Sequence, residues 1–426
     1  MEAGTEELKT RVYQGATKKN LALDAVVLER IENELSIILE TGFSDYFVLM
    51  ARIVEVCNEL QLLRSFGRGT SPNSLINYCL DITMINPIEY NLPFERFMLP
   101  YRELQPVNDI DIPKGSQYKV LNRLKEKYRE YNTYSIAVES KNEDDLSELS
   151  KDGIPLKVLS FGFIITKDVL PSFRIAGSDR LYYLSVNPKT DIYVMNKINL
   201  VEQSYLNKLQ SICESIGVWN HPYQIPLDDS MVLELFRKGN TQNIFCFDYE
   251  NINDFLIKFK PESLLDLAIV HALFRPSLWN LKSELIHSKN KHDRTFGFDN
   301  SKINEILSES YGLLIFQETF MHIASEFGDI TFTEAEIWRK GIYIDKSGFK
   351  MEEFLLEFSN SCRQKNTIND HDISVLTKLI SNNLPNTFSK AHAISYASIA
   401  YWGAYYKTYY PGEFIEVFYS EEDIPF

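Results

Sequence analysis

The chain has 426 residues, of which 44% are hydrophobic and 24% are charged, and its formal net charge at pH 7 is −15. This length and composition predict a globular protein of two or three domains. No apolar run approaches the ~20 residues of a membrane-spanning helix, the acidic charge argues mildly against nucleic-acid binding by bulk electrostatics, and five scattered cysteines favour a reducing cytoplasm over a disulfide framework or zinc site.

The N-terminal part of the sequence predicts helices followed by a glycine-containing loop. Apolar residues at helical spacing indicate two helices within residues 24–62, with Gly42 ending the first and Ser44 able to cap the second. The loop at 67–70, Gly-Arg-Gly-Thr, precedes a helix that is predicted to begin near Pro72. Backbone N–H groups at such a place can hold a phosphate with the help of the helix dipole, although glycine-containing turns between helices are common.

Two carboxylates, Asp109 and Asp111, flank one isoleucine within the stretch 105–113. On a β-strand both would point to one face, about 6.6 Å apart along the chain, which is a spacing suited to divalent cations. In a loop they would be solvated acids without a metal. The spacing by itself leaves both interpretations open.

The character of the sequence changes twice after this stretch. A surface helix is predicted for 116–130, and 131–155 contains a run of six acids against two lysines, which is typical of an exposed linker or a short acidic helix. Strand-like runs follow up to residue 200, and helical patterns dominate 201–426. We therefore expect an α/β part followed by a mainly helical part.

The segment 385–411 contains no acidic residue and interleaves aromatic side chains with cations. Tyr401, Tyr405 and Tyr409 fall on one helical face, an arrangement that can stack nucleic-acid bases or fill a hydrophobic core. A second basic cluster is typical either of a binding site or of a solvated helix face; it consists of Arg339, Lys340, Lys346 and Lys350.

In this order the stretches resemble the C-family replicative polymerases, whose type member is the bacterial DNA polymerase III alpha subunit. The resemblance is carried by "SFGRGTSPNSLINYCLDITMINPIEYNLPFERFMLPYR", by the D-x-D stretch, and downstream by "VHALFRPS", "YGLLIFQETFMHIA", "EAEIWRKG" and "FSKAHAISYASIAYWGAYYKTYYPGEF". It covers the chain almost from end to end. It implies an α/β palm of the polymerase-beta nucleotidyltransferase type followed by a mainly α-helical fingers domain. The implied boundaries are palm at 1–130 and 156–200, an acidic linker in place of the thumb at 131–155, and fingers at 201–426.

The resemblance also implies which residues form the site. Two Mg²⁺ ions would be held by Asp109 and Asp111, while the glycine loop and the fingers would hold the incoming nucleotide. The implied nucleotide-binding residues are Gly67, Gly69, Thr70, Arg339, Lys340, Lys390 and His392. Further basic positions of the site are Arg96, Arg102, Lys197 and Arg275.

Two departures from the family pattern bear on activity. The third palm carboxylate of the family is replaced by Asn199, and neither Glu202 nor Asp191 is placed to substitute for it on an extended strand. The stretch 131–155 is too short and too acidic for a thumb that grips duplex DNA. The N-terminal phosphatase-like domain, the clamp-binding part and the OB-fold of the family have no counterpart in this sequence.

Two functional hypotheses therefore stand side by side. One is an impaired or distributive nucleotidyltransferase of the DNA polymerase type, which uses Mg²⁺ and dNTPs to extend a primer with Asp109, Asp111 and Asn199 as its catalytic residues. The other is a catalytically inactive pseudo-polymerase that binds nucleotides, primer-template or single-stranded DNA, or acts as an interaction subunit. In either case the expected place is a bacterial or phage-like cytoplasm without a membrane association, and a protein partner could replace the missing thumb.

Overall fold

The computed structural model describes residues 2–101, 105–139, 148–149, 155–172, 180–185, 197–290, 296–366 and 368–419. The chain divides into two compact units, which we call unit 1 and unit 2. Unit 1 comprises Met1–Ser71, Leu75–Met84 and Pro100–Asn220, and unit 2 comprises Pro72–Ser74, Ile85–Leu99 and His221–Phe426. The border that the sequence suggested at residue 200 lies earlier than the observed one, because the helix after the last strand packs against the sheet of unit 1.

Unit 1 consists of six helices and six strands among the residues that the structure describes. The helices are α1 (Glu2–Lys18), α2 (Ala25–Glu40), α3 (Ser44–Glu59), α4 (Leu75–Cys79), α5 (Gln117–Lys127) and α6 (Ser204–Ser215). The strands are β1 (Asp109–Pro113), β2 (Asn132–Glu139), β3 (Glu148–Leu149), β4 (Pro155–Thr166), β5 (Tyr182–Ser185) and β6 (Lys197–Gln203).

The two helices predicted within 24–62 are confirmed as α2 and α3, but their ends differ in detail. Asp24 caps α2 by accepting a hydrogen bond from the Val27 N–H, and Gly42 follows its end with a positive φ of 76°. The N-cap of α3 is Phe43 and has no side-chain hydrogen bond, so the predicted cap at Ser44 is wrong. The sequence analysis assigned nothing to α1, whose face toward α3 buries Leu8 and Val12.

The strands form one mixed sheet with the order β1-β6-β4-β2-β5, and β3 pairs with β4 at its side. The strands β1 and β6 are parallel, whereas β4 is antiparallel to both β6 and β2. This places β1 at one edge of the order, with β6 as its neighbour. The D-x-D residues and Asn199 therefore lie on adjacent strands.

The interpretation of 131–155 as a linker is wrong for its first part. Residues 132–139 form β2, which pairs with both β4 and β5 and buries Tyr134 and Ile136. Alternating apolar residues there predict a strand, and the acidic run that follows obscured this signal. Residues 140–147 and 150–154 lie outside the described part of the chain.

Unit 2 is helical in the described residues. Its helices are α7 (Ser230–Arg237), α8 (Glu250–Phe259), α9 (Leu264–Leu273), α10 (Lys282–Lys289), α11 (Ser301–Ser308), α12 (Gln317–Gly328), α13 (Phe332–Ile344), α14 (Phe349–Lys365), α15 (Asp370–Asn383), α16 (Lys390–Tyr409) and α17 (Pro411–Phe418). The predicted succession of an α/β part and a mainly helical part is confirmed.

The central helix of unit 2 is α16, in which 15 of 20 residues are buried. A helix that is apolar on all sides belongs in a core, and α16 packs on α7, α9 and α17. The buried fraction includes Tyr401 and Trp402, both 0% exposed, so that part of the aromatic helix serves packing. Within the described residues, no helix combines the length and the apolar character that crossing a bilayer requires.

Candidate functional site

The two carboxylates of the D-x-D stretch lie on β1, which confirms the predicted strand. Asp109 is the direct register partner of Asn199 on the parallel strand β6, and Asn199 Nδ2 donates a hydrogen bond of 2.7 Å to Asp109 Oδ1. Asp111, two residues further along, lies on the same face of the strand. Its side chain is 0% exposed, whereas that of Asp109 is 23% exposed. The three residues that the sequence linked only by resemblance are thus neighbours.

The glycine loop places the side chain of Arg68 close to the carboxylates of both Asp109 and Asp111. The Ser65 N–H donates to the Asp111 carbonyl oxygen at 3.4 Å, so the loop begins alongside β1. Gly67 and Gly69 have φ of 140° and 60°, values that favour glycine, and the loop turns between them. Arg68 Nη1 then lies 3.1 Å from Asp111 Oδ1. Its Nε lies 3.8 Å from Asp109 Oδ2.

Arg68 contacts both acids of the candidate site, although nothing in the sequence indicated this. In the sequence, Arg68 is recognisable only as the cation between two glycines. Its contacts with the two acids became evident only from the position of β1 beside the loop. Burial raises the pKa of Asp111 above its usual value, and the charge of Arg68 opposes this shift. Arg68 is therefore the counter-ion of Asp109 and Asp111 in this structure.

The site also contains oxygen atoms without hydrogen-bond donors. Within the described part of the chain, Asp111 Oδ2 and Asn199 Oδ1 are both buried and have no hydrogen-bond partner. The side chain of Lys197 lies at the start of β6, and burial lowers its pKa while the charge of Asp109 opposes the shift. Gly162 on β4 is the register partner of Asn199, and a Cβ there would lie 3.2 Å from Lys197 Cε. A Cβ at Gly162 would displace the end of the Lys197 side chain slightly and make an ordinary contact of 3.6 Å with Asn199 Oδ1.

Oxygen donors of this kind suit a hard divalent cation such as Mg²⁺. Two carboxylates, Asp109 and Asp111, and the amide oxygen of Asn199 are available as donors. Among the described residues no group of three or more His, Cys, Asp and Glu side chains is placed to hold a metal. Glu202 accepts the Gly115 N–H at 2.7 Å, and Asp191 lies outside the described residues. The donor set fits a divalent cation between two acids and lacks a third carboxylate.

The helix after the glycine loop begins on an internal carboxylate. Residues Ser71–Asn73 form a 3₁₀ turn, and the helix proper is the short α4. The N–H groups of Leu75 and Ile76 donate to the two carboxylate oxygens of Glu34 at 2.9 and 3.1 Å. Because Glu34 is fully buried, this internal anion already satisfies the helix start. The N–H groups of Leu75 and Ile76 are therefore not available to a phosphate.

In unit 2, one carboxylate gathers three of the predicted basic residues. Glu336 on α13 is fully buried and lies 3.3 Å from Arg96 Nη1, 2.8 Å from Arg339 Nε and 3.2 Å from Lys340 Nζ. Burial acts to raise the pKa of Glu336, but the hydrogen bond from Arg339 and the charge of Arg96 hold it below its usual value. Arg96 also donates to Gln317 Oε1 at 3.0 Å. The cluster carries more positive than negative charge.

Exposure separates these three cations. The side chains of Arg96 and Arg339 are only 12% and 9% exposed, whereas that of Lys340 is 47% exposed. Lys340 is therefore the member of the cluster that solvent and a dissolved anion can reach most easily. The sequence could not identify Glu336 as the common partner, because Arg96 lies 240 positions away in the chain.

A second group of internal anions holds Lys390. Its Nζ lies 2.5 Å from Glu309 Oε2 and donates to the Tyr90 carbonyl oxygen at 2.7 Å, and its side chain is 3% exposed. The carboxylate of Glu318 accepts the N–H groups of Lys390 and Ala391, at 2.7 and 3.4 Å. The start of α16 is thus occupied by a buried glutamate, as the start of α4 is. A phosphate at Lys390 would have to displace these contacts.

His392 and Arg275, two other predicted positions, lie around one aromatic ring. The ring centroids of His392 and Phe388 are 5.4 Å apart, and Arg275 Cζ lies 3.8 Å from the Phe388 centroid. Arg275 is exposed and His392 is half-buried. Arg102 lies outside the described residues.

Comparison with known proteins identifies the family. Residues 6–144 match the model of the bacterial DNA polymerase III alpha NTPase domain, and residues 203–366 match that of the bacterial DNA polymerase III alpha subunit finger domain. The chain is 28% identical to DNA polymerase III subunit alpha of Staphylococcus aureus, over 91% of this chain and 42% of that protein. It is 26% identical to the subunit of the same name from Staphylococcus epidermidis, over 92% of this chain and 42% of that protein. The chain therefore spans less than half the length of these relatives, and it belongs to the bacterial DNA polymerase III alpha family.

Proposed function

We propose that the chain is a nucleotidyltransferase core of reduced activity, which binds dNTP with Mg²⁺ and adds nucleotides to the 3′ end of a DNA primer. The observation that carries the proposal is the direct register of Asp109 with Asn199, with Asp111 on the same strand face. In this interpretation the mixed sheet of unit 1 is a palm of the polymerase-beta type. The family to which the chain belongs supports the reaction class.

The chemistry of such a site is one of positioning and charge neutralisation. When bound, Mg²⁺ supplies positive charge that offsets the charge of the triphosphate and of the attacking oxygen. Asp109 and Asp111 would hold the cation, and Asn199 would supply an uncharged oxygen. Lys197, half-buried beside Asp109, would add positive charge at this edge of the sheet. The loop 67–70 would hold phosphate oxygens through backbone N–H groups.

Arg68 has to leave the acids for a cation to reach them. Its guanidinium contacts both carboxylates, so bound metal and bound Arg68 are alternatives at the same oxygens. Released Arg68 would remain in the loop and could pair with a phosphate, since a guanidinium matches phosphate geometry. This exchange would couple metal entry to nucleotide entry in unit 1.

For unit 2 by itself, we propose that Lys340 is the main phosphate contact of the Glu336 cluster. Arg96 and Arg339 would act from behind it through their positive charge. Lys390 would support the fold of unit 2 rather than bind phosphate directly, because Glu309 and the Tyr90 carbonyl already engage its ammonium group.

The alternative is a pseudo-polymerase that binds nucleotides or DNA without catalysis. The observation in its favour is that Asn199 donates to Asp109 where the family has a third carboxylate. The loss of one charge from a metal site at ~4 Å and an effective dielectric near 20 corresponds to about 4 kcal/mol. If this difference acts in the transition state, the rate falls roughly a thousandfold.

Primer extension with Mg²⁺ or Mn²⁺ tests both functions on the wild-type chain, Asp109→Ala and Asn199→Asp. Extension that Asp109→Ala abolishes supports the nucleotidyltransferase and refutes the pseudo-polymerase. Absence of extension in all three, together with a thermal shift by dNTP and Mg²⁺, supports the pseudo-polymerase and refutes catalysis. The thermal shift reports binding because a ligand specific for the folded state stabilises it by mass action.

A further inference from the structure

Unit 2 carries a series of partly exposed rings, of which only His392, with the neighbouring Arg275, has been given a role so far. We call this series the aromatic strip; it consists of Tyr249, Phe274, Arg275, Trp279, Phe388 and His392. The rings of Tyr249 and Phe274 are stacked with their centroids 5.7 Å apart. The ring centroids of Phe274 and Trp279 are 4.9 Å apart in an edge-to-face arrangement. Arg275, next in sequence to Phe274, covers the Phe388 ring at 3.8 Å. Phe274 and Arg275 line the same recess, and this recess connects the two ends of the strip.

The strip is unusual because its rings are accessible. Tyr249 is 58% exposed, and Phe274, Trp279, Phe388 and His392 are half-buried. Aromatic side chains of this size are normally buried in a core or in an interface. Two recesses of about 180 and 360 Å³ open along the strip and share Asn251 and Trp279 in their walls.

The charges along the recesses are mainly positive. Lys282 Nζ lies 4.6 Å from the Trp279 ring, and Lys258 lines the larger recess with it. Arg275 lines the smaller one. Asp254 is the acid in the lining of the larger recess. Three cations and one acid therefore line the two recesses, on a chain with a net charge of −15.

Partly exposed rings interleaved with cations suit a ligand with flat apolar parts and a regular negative charge. Unpaired nucleotides have this chemistry, because their bases stack on aromatic rings and their phosphates pair with Lys and Arg. Duplex DNA does not present its base faces, so the rings would contribute little to its binding. We propose that the aromatic strip binds unpaired nucleotides of single-stranded DNA. This inference rests on the proposed function, in which DNA is the substrate, and it names the surface of unit 2 that a single strand follows.

The test measures the affinity of a short fluorescent oligo-dT for the full chain by fluorescence anisotropy at two salt concentrations. Tyr249→Ala should weaken binding about fivefold or more, since a base–aromatic stack is worth roughly 1 kcal/mol or more. Lys282→Gln should lower the slope of affinity against salt by about one phosphate contact. The matched control is Phe349→Ala, which removes a 63% exposed ring with Lys350 Nζ 5.9 Å from it, outside the strip. It should bind like the wild type.

The outcomes separate the strip from the proposed function. Three results would refute single-strand binding by the aromatic strip. They are equal affinities of the wild type, Tyr249→Ala and Lys282→Gln, no binding by the wild type, and a preference for a duplex of the same length. Tighter binding of the matching oligo-U would overturn the assignment to DNA. A thermal shift by dNTP and Mg²⁺ is measured in parallel on each variant. If that shift and primer extension fail while the strip variants still lose oligo-dT affinity, the proposed function fails and the strip stands.

Discussion

The change Asn199→Asp tests most directly how the site is built. In the wild-type chain, Asn199 Nδ2 donates to Asp109 Oδ1 at 2.7 Å. An aspartate at this place removes the donor and sets two carboxylates against each other at the edge of the sheet. The substitution keeps the size of the side chain, so the effect is one of charge and hydrogen bonding.

The magnitude follows from the geometry. Two unit charges ~4 Å apart at an effective dielectric near 20 repel each other by about 4 kcal/mol. Since Asp109 is 23% exposed, solvent screens part of this, and we expect a loss of ~1–4 kcal/mol in the free energy of unfolding without metal. The deficit should shrink as the pH falls toward ~4 and be absent below it, because two crowded carboxylates share a proton at a pH above the usual pKa of an aspartate. Bound Mn²⁺ or Mg²⁺ should reverse the sign, since the added carboxylate then faces a cation.

The assay is urea unfolding in EDTA and in MnCl₂, with calorimetric titration of Mn²⁺ into each chain. Asn122→Asp on the exposed face of α5 is the control, because it makes the same charge change in unit 1 away from the site. The reasoning would be refuted if Asn199→Asp were as stable as the control in EDTA and bound Mn²⁺ no more tightly than the wild type. In that case residue 199 would not share an electrostatic site with Asp109.

Three further predictions concern buried charges. Arg68→Met should lower the free energy of unfolding at pH 7 by roughly 3–5 kcal/mol, because it leaves Asp111 buried without its cation. The same change should tighten Mn²⁺ binding in calorimetry, because it removes the group that competes with the metal. Weaker Mn²⁺ binding would contradict the exchange of Arg68 and metal. Glu336→Gln should cost a similar ~3–5 kcal/mol in urea unfolding at pH 7 by leaving Arg339 without its counter-ion. Since the folded-state pKa of Glu336 is lowered, this stabilisation is present above its usual pKa and is lost as the pH falls through the folded value, so a deficit that persists in strong acid would refute the charge argument. Burial lowers the pKa of His271 to about 4, so the free energy of unfolding of the wild type should fall by up to ~3 kcal/mol as the pH decreases from 6.5 to 4. His271→Gln should lack this fall in urea unfolding. Equal pH dependence of the two chains would contradict the prediction.

Several elements and the family could be predicted without coordinates. Apolar periodicity predicted α2, α3 and the succession of strands and helices, whereas the strand that carries Asp109 and Asp111 was implied only by the resemblance to the polymerase family. The order of the motifs predicted that Asn199 belongs with these acids. Such signals are local or lie in one linear order, so they can be read without coordinates. Where local signals conflicted, as in the acidic stretch that begins with β2, the prediction was wrong.

Only the tertiary structure decided what each charged side chain contacts. The counter-ions of the basic residues come from distant positions: Glu336 serves Arg96, and Glu309 serves Lys390. The N–H groups at the starts of α4 and α16 are taken by Glu34 and Glu318, contacts that the sequence did not indicate. Nothing in the spacing of these glutamates indicates their partners, because burial selects a partner by proximity in the fold. The sequence indicates which residues could form the site. Tertiary packing decides which of these side chains face solvent and which have their charge neutralised by a partner. The reason is that a charge can be buried only where the fold supplies an oppositely charged or hydrogen-bonding group.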